Sequence, residues 1–242
     1  MKTITKDLDI LRFATAQEAA QEAAMALENL QLPLKLKPVL LLASGGSALK
    51  VLDWLDETAL TENLTVTMLD ERFVDDPAES NFTQLQETDF YTVALERDIN
   101  FLGTLPRRGD TLQTLADRHE AALRSWRQKN PQGITIALMG MGPDGHTAGI
   151  FPSRDKNFFD YTFLSERWVA GYDNKGQKLP PLRVTATMTF LETIDHALAF
   201  VAGEEKKAAL NKVLLGEGEL HRLPALIWRQ MKDVRIFTDI QN

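Results

Sequence analysis

Cysteine is absent from the 242 residues. Disulfides, thiolate metal sites and a cysteine nucleophile are therefore excluded, and the composition suits a reducing cytoplasm. An excess of positive charge is also lacking: 27 Lys and Arg stand against 34 Asp and Glu, a formal net charge of −7. Sequence-independent binding of nucleic acid needs a basic field that displaces counterions, so nucleic acid is not an expected partner. No apolar run approaches the roughly 18 residues of a membrane span, so no membrane partner is expected either. The opening "MKTITKDLDILRF" has early acidic residues and no unbroken apolar core, which predicts no secretory signal. The four histidines, His119, His146, His196 and His221, make no H-x-x-x-H or similar metal spacing. Repeats, low-complexity tracts and linkers are missing, so one cytoplasmic domain spanning 1–242 is expected.

What is present is 44% hydrophobic residues, enough for a sizeable core. Short apolar runs alternate with segments of helical period. "DILRF" (9–13), "PVLLLA" (38–43), "LTVTML" (64–69), "INFLG" (99–103), "ITIALM" (134–139), "RVTAT" (183–187), "ALAFVAG" (197–203) and "VRIFT" (234–238) read as strands. Helices are predicted from the Thr15-Ala-Gln-Glu18 capping box to about Leu30, over 47–55, near Asn81–Phe90, over 111–127, around Phe190–His196 and over 204–216. The stretch 152–182, rich in charge, Pro and Gly, reads as an irregular excursion near a site. The alternation predicts an α/β fold: a mostly parallel sheet with helices on both faces.

In such folds ligands bind at the carboxyl ends of the strands. Three predicted strand ends carry unusual loops, all expected on one edge: Ser44-Gly45-Gly46-Ser47, Asp70-Glu71-Arg72, and Gly140 to Thr147 in "GMGPDGHT". The first suits an anion, because small residues expose backbone N–H groups ahead of a helix start. It also fits a plain turn with Ser47 as N-cap. It is neither a Walker loop nor a nucleophile elbow. Gly140-x-Gly142-x-x-Gly145 formally matches a dinucleotide fingerprint, but Pro143 and "TAGIFPSRDKNFF" do not continue as the required apolar helix. His119 reads as a packed helix residue, His196 as a cation ending a helix, and His221 as part of a polar turn. Only His146 lies in a strand-end glycine loop beside a carboxylate, Asp144, which suits general-base chemistry.

"SGGSALKVL", "LDERFVDDPAESN" and "MGMGPDGHTAGIFP" resemble the three signature loops of the 6-phosphogluconolactonases, whose superfamily includes the glucosamine-6-phosphate deaminases. The resemblance extends over most of the chain. It implies a Rossmann-like, modified three-layer sandwich and hydrolysis of 6-phospho-D-glucono-1,5-lactone to 6-phosphogluconate, with neither metal nor organic cofactor. The implied partner is thus a small phosphorylated sugar lactone, handled by a monomer or small homo-oligomer. By motif, His146 would be the base, with Asp144 and Asp70 completing the catalytic set. Ser44, Gly45, Gly46 and Ser47 would border the sugar phosphate. Arg72, Asn81 and Gly142 would line the site, while Arg183 and Lys206 would hold the phosphate.

The chain departs from the family pattern at Ala48-Leu49, where Thr-Pro is usual, at Gly149-Ile150, where Ser-Leu is usual, and at Asp75, where proline is common. The first departure removes a hydroxyl near the phosphate loop. The rivals implied are an amino-sugar phosphate deaminase and a non-catalytic sugar-phosphate sensor. Deaminases continue D-G-H as I-A-F-N-E-P; here Phe151 stands at the glutamate position, and Glu166 is the nearby acid that would have to replace it.

Overall fold

The computed structural model describes residues 7–31 and 37–241. In chain order the elements begin with β1 (Asp9–Arg12), α1 (Ala16–Gln31), β2 (Val39–Ala43), β3 (Leu64–Met68), β4 (Asp70–Arg72) and α2 (Asn81–Gln86). There follow α3 (Asp89–Glu96), β5 (Asn100–Leu102), α4 (Leu112–Lys129), β6 (Ile134–Gly140), α5 (Lys156–Phe163) and β7 (Val169–Asp173). The last are β8 (Leu182–Ala186), α6 (Met188–Leu191), β9 (His196–Val201), α7 (Lys207–Leu215) and β10 (Val234–Thr238). Seven strands form a parallel sheet in the order β1-β10-β9-β6-β2-β3-β5.

The continuous apolar runs follow from burial on both faces. In β2, Leu40 and Leu42 join one core with α4, α5 and α7, whereas Val39, Leu41 and Ala43 join another with α1, α2 and α3. That is the period-two alternation of a strand covered on both sides. The chain runs outward from β2 through β3 to β5, then returns to β6 on the other side of β2. This reversal opens a crevice beyond the ends of β2 and β6, the usual ligand position of such sheets. Among the described residues no helix is long and apolar enough to cross a membrane.

Several expectations are corrected. Asp70-Glu71-Arg72 is not a loop but a strand, pairing antiparallel with β8, which pairs in turn with β7. "RVTAT" therefore belongs to this separate three-stranded sheet, a non-local pairing that hydropathy does not reveal. The stretch 152–182 holds α5 and β7, with Asp155 capping α5 through the Phe158 amide. The helix expected near Asn81–Phe90 is two helices, because Thr88 closes α2 on Leu85 O and caps α3 at Tyr91 N. The segment 46–54 is a 3₁₀-helix beginning at Gly46, so Gly45, not Ser47, occupies the N-cap position. The helix expected to reach His196 stops at Leu191, and His196 opens β9 and bonds Asp233 Oδ2 at 2.7 Å. His221 is buried, its ring set against Phe159. His119 is packed in the core, as its helix face predicts.

Candidate active site

The loop ends converge because backbone bonds tie them together. Ser44 N donates to Leu138 O, Leu69 N to Ala43 O, and Ala186 N to Leu69 O, at 2.8–2.9 Å. The result is a pocket of about 220 Å³. Ser44, Gly45, Gly46 and Ser47 reach it from the end of β2, Asp70 and Arg72 from β4, and Asn81 from the start of α2. Gly142 and His146 come from the loop after β6, Arg183 from β8, and Lys206 from a 3₁₀ turn before α7. Of the predicted site residues only Asp144 does not line the pocket. It stands behind His146.

Asp144 Oδ1 accepts from the His146 backbone N–H at 3.1 Å and bonds the ring Nδ1 at 2.5 Å. An ionised carboxylate only accepts, so Nδ1 carries the proton and Nε2 is left to act as a base. Burial alone would raise the Asp144 pKa, but the hydrogen bond and charge of His146 outweigh it and hold it low. The pair fits only because position 142 is glycine: a Cβ there would lie 2.0 Å from the imidazole Cε1. The same loop turns back at Gly149, whose φ of +68° favours glycine and whose missing side chain leaves room for Asp70.

Asp70 is buried, which raises its pKa against the opposing pull of Arg183, His146, Arg72 and Asn81. Asn81 Nδ2 donates to the Asp70 carbonyl at 3.0 Å and to its carboxylate at 3.1 Å. The neighbouring Glu71 points the other way, as strand alternation requires. Its carboxylate accepts from the amides of Arg72, Asn81 and Phe82 and from the Thr104 hydroxyl, fastening the whole 71–82 segment.

The cations are the second feature. The β4–β8 register sets Arg72 directly opposite Arg183, a like-charge pairing that is unfavourable by itself. Arg183 is 3% exposed and Lys206 7%. Desolvation lowers the pKa of each. Arg183 Nε, Arg72 Nε, Asn81 Oδ1 and Ser44 Oγ are buried atoms with no hydrogen-bond partner among the described residues. Leaving each such group unpaired costs about 1–3 kcal/mol, so four around one pocket point to a polar ligand. Among the described residues no group of three or more His, Asp or Glu side chains is arranged to hold a metal ion.

Ala48, at the departure from Thr-Pro, is fully buried and does not line the pocket. The side chain at this position thus faces the core and not the pocket. Glu166 is exposed, with its carbonyl bonded to Arg124 of α4, and it does not reach the pocket. Sequence reasoning missed Lys178, which lines the pocket from the β7–β8 turn, and Tyr172, whose hydroxyl donates to Gly149 O at 2.5 Å. The irregular composition of 152–182 flagged that region, but no motif marks either residue.

A family pattern described as "Glucosamine-6-phosphate isomerases/6-phosphogluconolactonase" matches residues 12–236. The chain is 27% identical over 230 residues to a 6-phosphogluconolactonase of Neisseria meningitidis, spanning 93% of this chain and 96% of that protein. The crystal structure of a Thermotoga maritima 6-phosphogluconolactonase superposes with a TM-score of 0.72 at 26% identity, covering 96% of this chain and 98% of that one. A monomeric glucosamine-6-phosphate deaminase shares the fold, with a TM-score of 0.76 at 20% identity over 96% and 97% of the two chains. With a match spanning nearly its whole length, the chain belongs to the glucosamine-6-phosphate isomerase/6-phosphogluconolactonase family.

Proposed function

We propose that the chain is a 6-phosphogluconolactonase, hydrolysing 6-phospho-D-glucono-1,5-lactone to 6-phospho-D-gluconate in the oxidative pentose phosphate pathway. The observation that carries the reading is one pocket with a carboxylate-held histidine on one wall and, on another, buried Lys206 and buried Arg183, whose Nε has no partner among the described residues. The relatives named for this reaction support it. A phosphate dianion supplies the acceptor that Arg183 Nε lacks and adds negative charge between the two buried cations.

In this mechanism Arg183 and Lys206 hold the phosphate and so set the sugar ring against His146. Nε2 takes a proton from water as the water oxygen attacks the lactone carbonyl carbon, while Nδ1–H stays on Asp144. Negative charge grows on the carbonyl oxygen and is met by Arg72 and the N–H groups of the glycine loops. The bond from the carbonyl carbon to the ring oxygen then breaks. The imidazolium returns its proton to that oxygen, so one water is added in all. Asn81 keeps Asp70 turned into the pocket beside the cations. This scheme works within one domain of 1–242, as a cytoplasmic monomer or small homo-oligomer.

The deaminase reading is disfavoured by Phe151, which stands where a proton-relaying glutamate is needed, and by the outward position of Glu166. The deciding experiment gives the purified protein freshly made 6-phosphogluconolactone in a coupled dehydrogenase assay, with spontaneous hydrolysis as background. Glucosamine 6-phosphate is tested in parallel for ammonia. Lactone turnover well above background without ammonia is expected. Ammonia release at a comparable rate would establish a deaminase, and binding without turnover a sensor.

A further inference from the structure

We propose that Lys178, in the turn between β7 and β8, is a further phosphate-binding cation that sets the pocket's preference for phosphorylated over unphosphorylated lactones. The inference rests on the lactonase reading and concerns the same pocket.

The turn is held in position. β7 and β8 pair antiparallel, with Tyr172 opposite Arg183 and Asp173 opposite Leu182, so the connection leaves the sheet next to Arg183. Asn174 is buried at the base of the turn. Its N–H donates to Pro181 O at 3.0 Å, its carbonyl accepts from Gln177 N at 3.3 Å, and its Nδ2 donates to Lys178 O at 2.8 Å. Lys175 N is fixed on Asp173 Oδ1 at 2.7 Å. A buried amide thus anchors the main chain of Lys178 itself, at the height from which its side chain lines the pocket.

The ammonium group is the second observation. The Lys178 side chain makes no hydrogen bond or ion pair among the described residues, although acids outnumber bases in this chain by 34 to 27. It lies near a second cation, Lys206, whose pKa is lowered first by desolvation, against the pull of Glu205 and Asp239, with the charge of Lys178 adding to the lowering. With Arg72 and Arg183 the lining carries four cations, and Asp70 is its single carboxylate. Lysines are flexible and strongly hydrated, so an exposed one left free to turn toward solvent gains nothing from facing Lys206. A bound dianion reverses the sign: each mutual repulsion becomes a shared attraction to the phosphate. Arg183 and Lys206 are buried and already in place, whereas Lys178 is exposed and can follow the ligand in.

The test uses Lys178→Ala, Lys178→Glu and Lys178→Arg in the full-length protein. Steady-state constants are measured on 6-phosphogluconolactone and on unphosphorylated glucono-1,5-lactone. Calorimetric binding of 6-phosphogluconate is measured alongside, because it reads the site without turnover. Loss of one charge-assisted contact should raise KM for the phosphorylated lactone about tenfold in Lys178→Ala, with kcat within about twofold. Lys178→Glu should be weaker still and Lys178→Arg close to wild type, while the unphosphorylated lactone is unaffected by all three. Affinity for 6-phosphogluconate should fall by the same factor as KM rises. Wild-type affinity in Lys178→Ala, or equal losses on both lactones, would overturn the assignment. If the wild type binds 6-phosphogluconate but turns over no lactone, the reaction is wrong and the binding ratio still decides Lys178. If it binds no 6-phosphogluconate, both readings fall.

Discussion

The ring of Phe151 lies against the imidazole of His146, with centroids 4.4 Å apart and planes 32° from parallel. The same ring sits under the Arg183 guanidinium at 5.7 Å. One apolar side chain thus braces both His146, the proposed base, and Arg183, the proposed phosphate ligand. Phe151→Leu retains bulk but loses the flat face. It should lower kcat about tenfold through misorientation of His146, and raise KM less, by the share of a weak cation–π contact. Unchanged kcat in steady-state assays would show that Phe151 only fills space.

His146→Ala should reduce kcat by about 10²–10⁴-fold, the usual share of general-base catalysis, with the fold intact by circular dichroism. Asp144→Asn should fall in the same range, because an amide can present its NH₂ to Nδ1 and turn the proton onto Nε2. A near-normal kcat in either variant would remove that residue from the mechanism.

For the phosphate, Arg183→Met and Lys206→Met keep much of each buried stem while removing the charge. KM for the phosphorylated lactone should rise by about two orders of magnitude or more for either, since buried charge-assisted bonds exceed exposed ones in strength. Activity on unphosphorylated glucono-1,5-lactone should change little. Parallel losses on the two substrates would argue against phosphate binding.

Tyr172 supports, from behind, the loop that carries His146. Its hydroxyl donates to Gly149 O and accepts from Phe151 N at 3.3 Å, while burial and the resulting rise in pKa keep the phenol protonated. Tyr172→Phe strands a buried N–H and a carbonyl, which should cost about 1–3 kcal/mol in urea unfolding. As a positioning residue it should also reduce kcat with little change in KM. A stability loss without any kcat effect would make it purely structural.

Acid should destabilise the protein through His119. Thr67 Oγ1 donates to Leu102 O at 2.8 Å and so accepts from His119 Nε2 at 3.3 Å, and burial drives the histidine pKa down from 6.5 to about 4. The unfolded chain takes up this proton first. The stability from neutral His119 is therefore present above pH 6.5 and lost as pH falls toward 4, about 3 kcal/mol in all. His119→Gln keeps a donor for Thr67 without titrating, so its urea midpoint should vary less over that window than the wild type's.

Strand β10 was legible residue for residue, and β2, β3 and β6 to within one residue, because short runs dominated by Val, Leu, Ile and other apolar residues mark largely buried strands. Much of the pocket lining was legible too, since most of it follows directly on β2, β3 and β6, whereas Arg183 and Lys206 were reached only through the family resemblance. Beyond reach were β4, β7 and their pairing with β8, although β8 itself was read as a strand to within one residue. Asp-Glu-Arg carries no strand signal, and its pairing with residues more than a hundred positions away depends on where the parallel sheet places Leu69 and Ala186.

By itself the sequence determined the alternation of buried strands and helices, the glycine loop that seats a histidine on an aspartate, and the exclusion of thiol chemistry. These are local properties: hydrophobic period, backbone freedom at Gly142, and residue type. Only the tertiary structure decided that Arg72 faces Arg183, that Phe151 lies on His146, that Glu166 points away, and that Lys178 overlooks the pocket. Each of these depends on contacts between distant segments. No window of neighbouring residues records contacts of such long sequence separation.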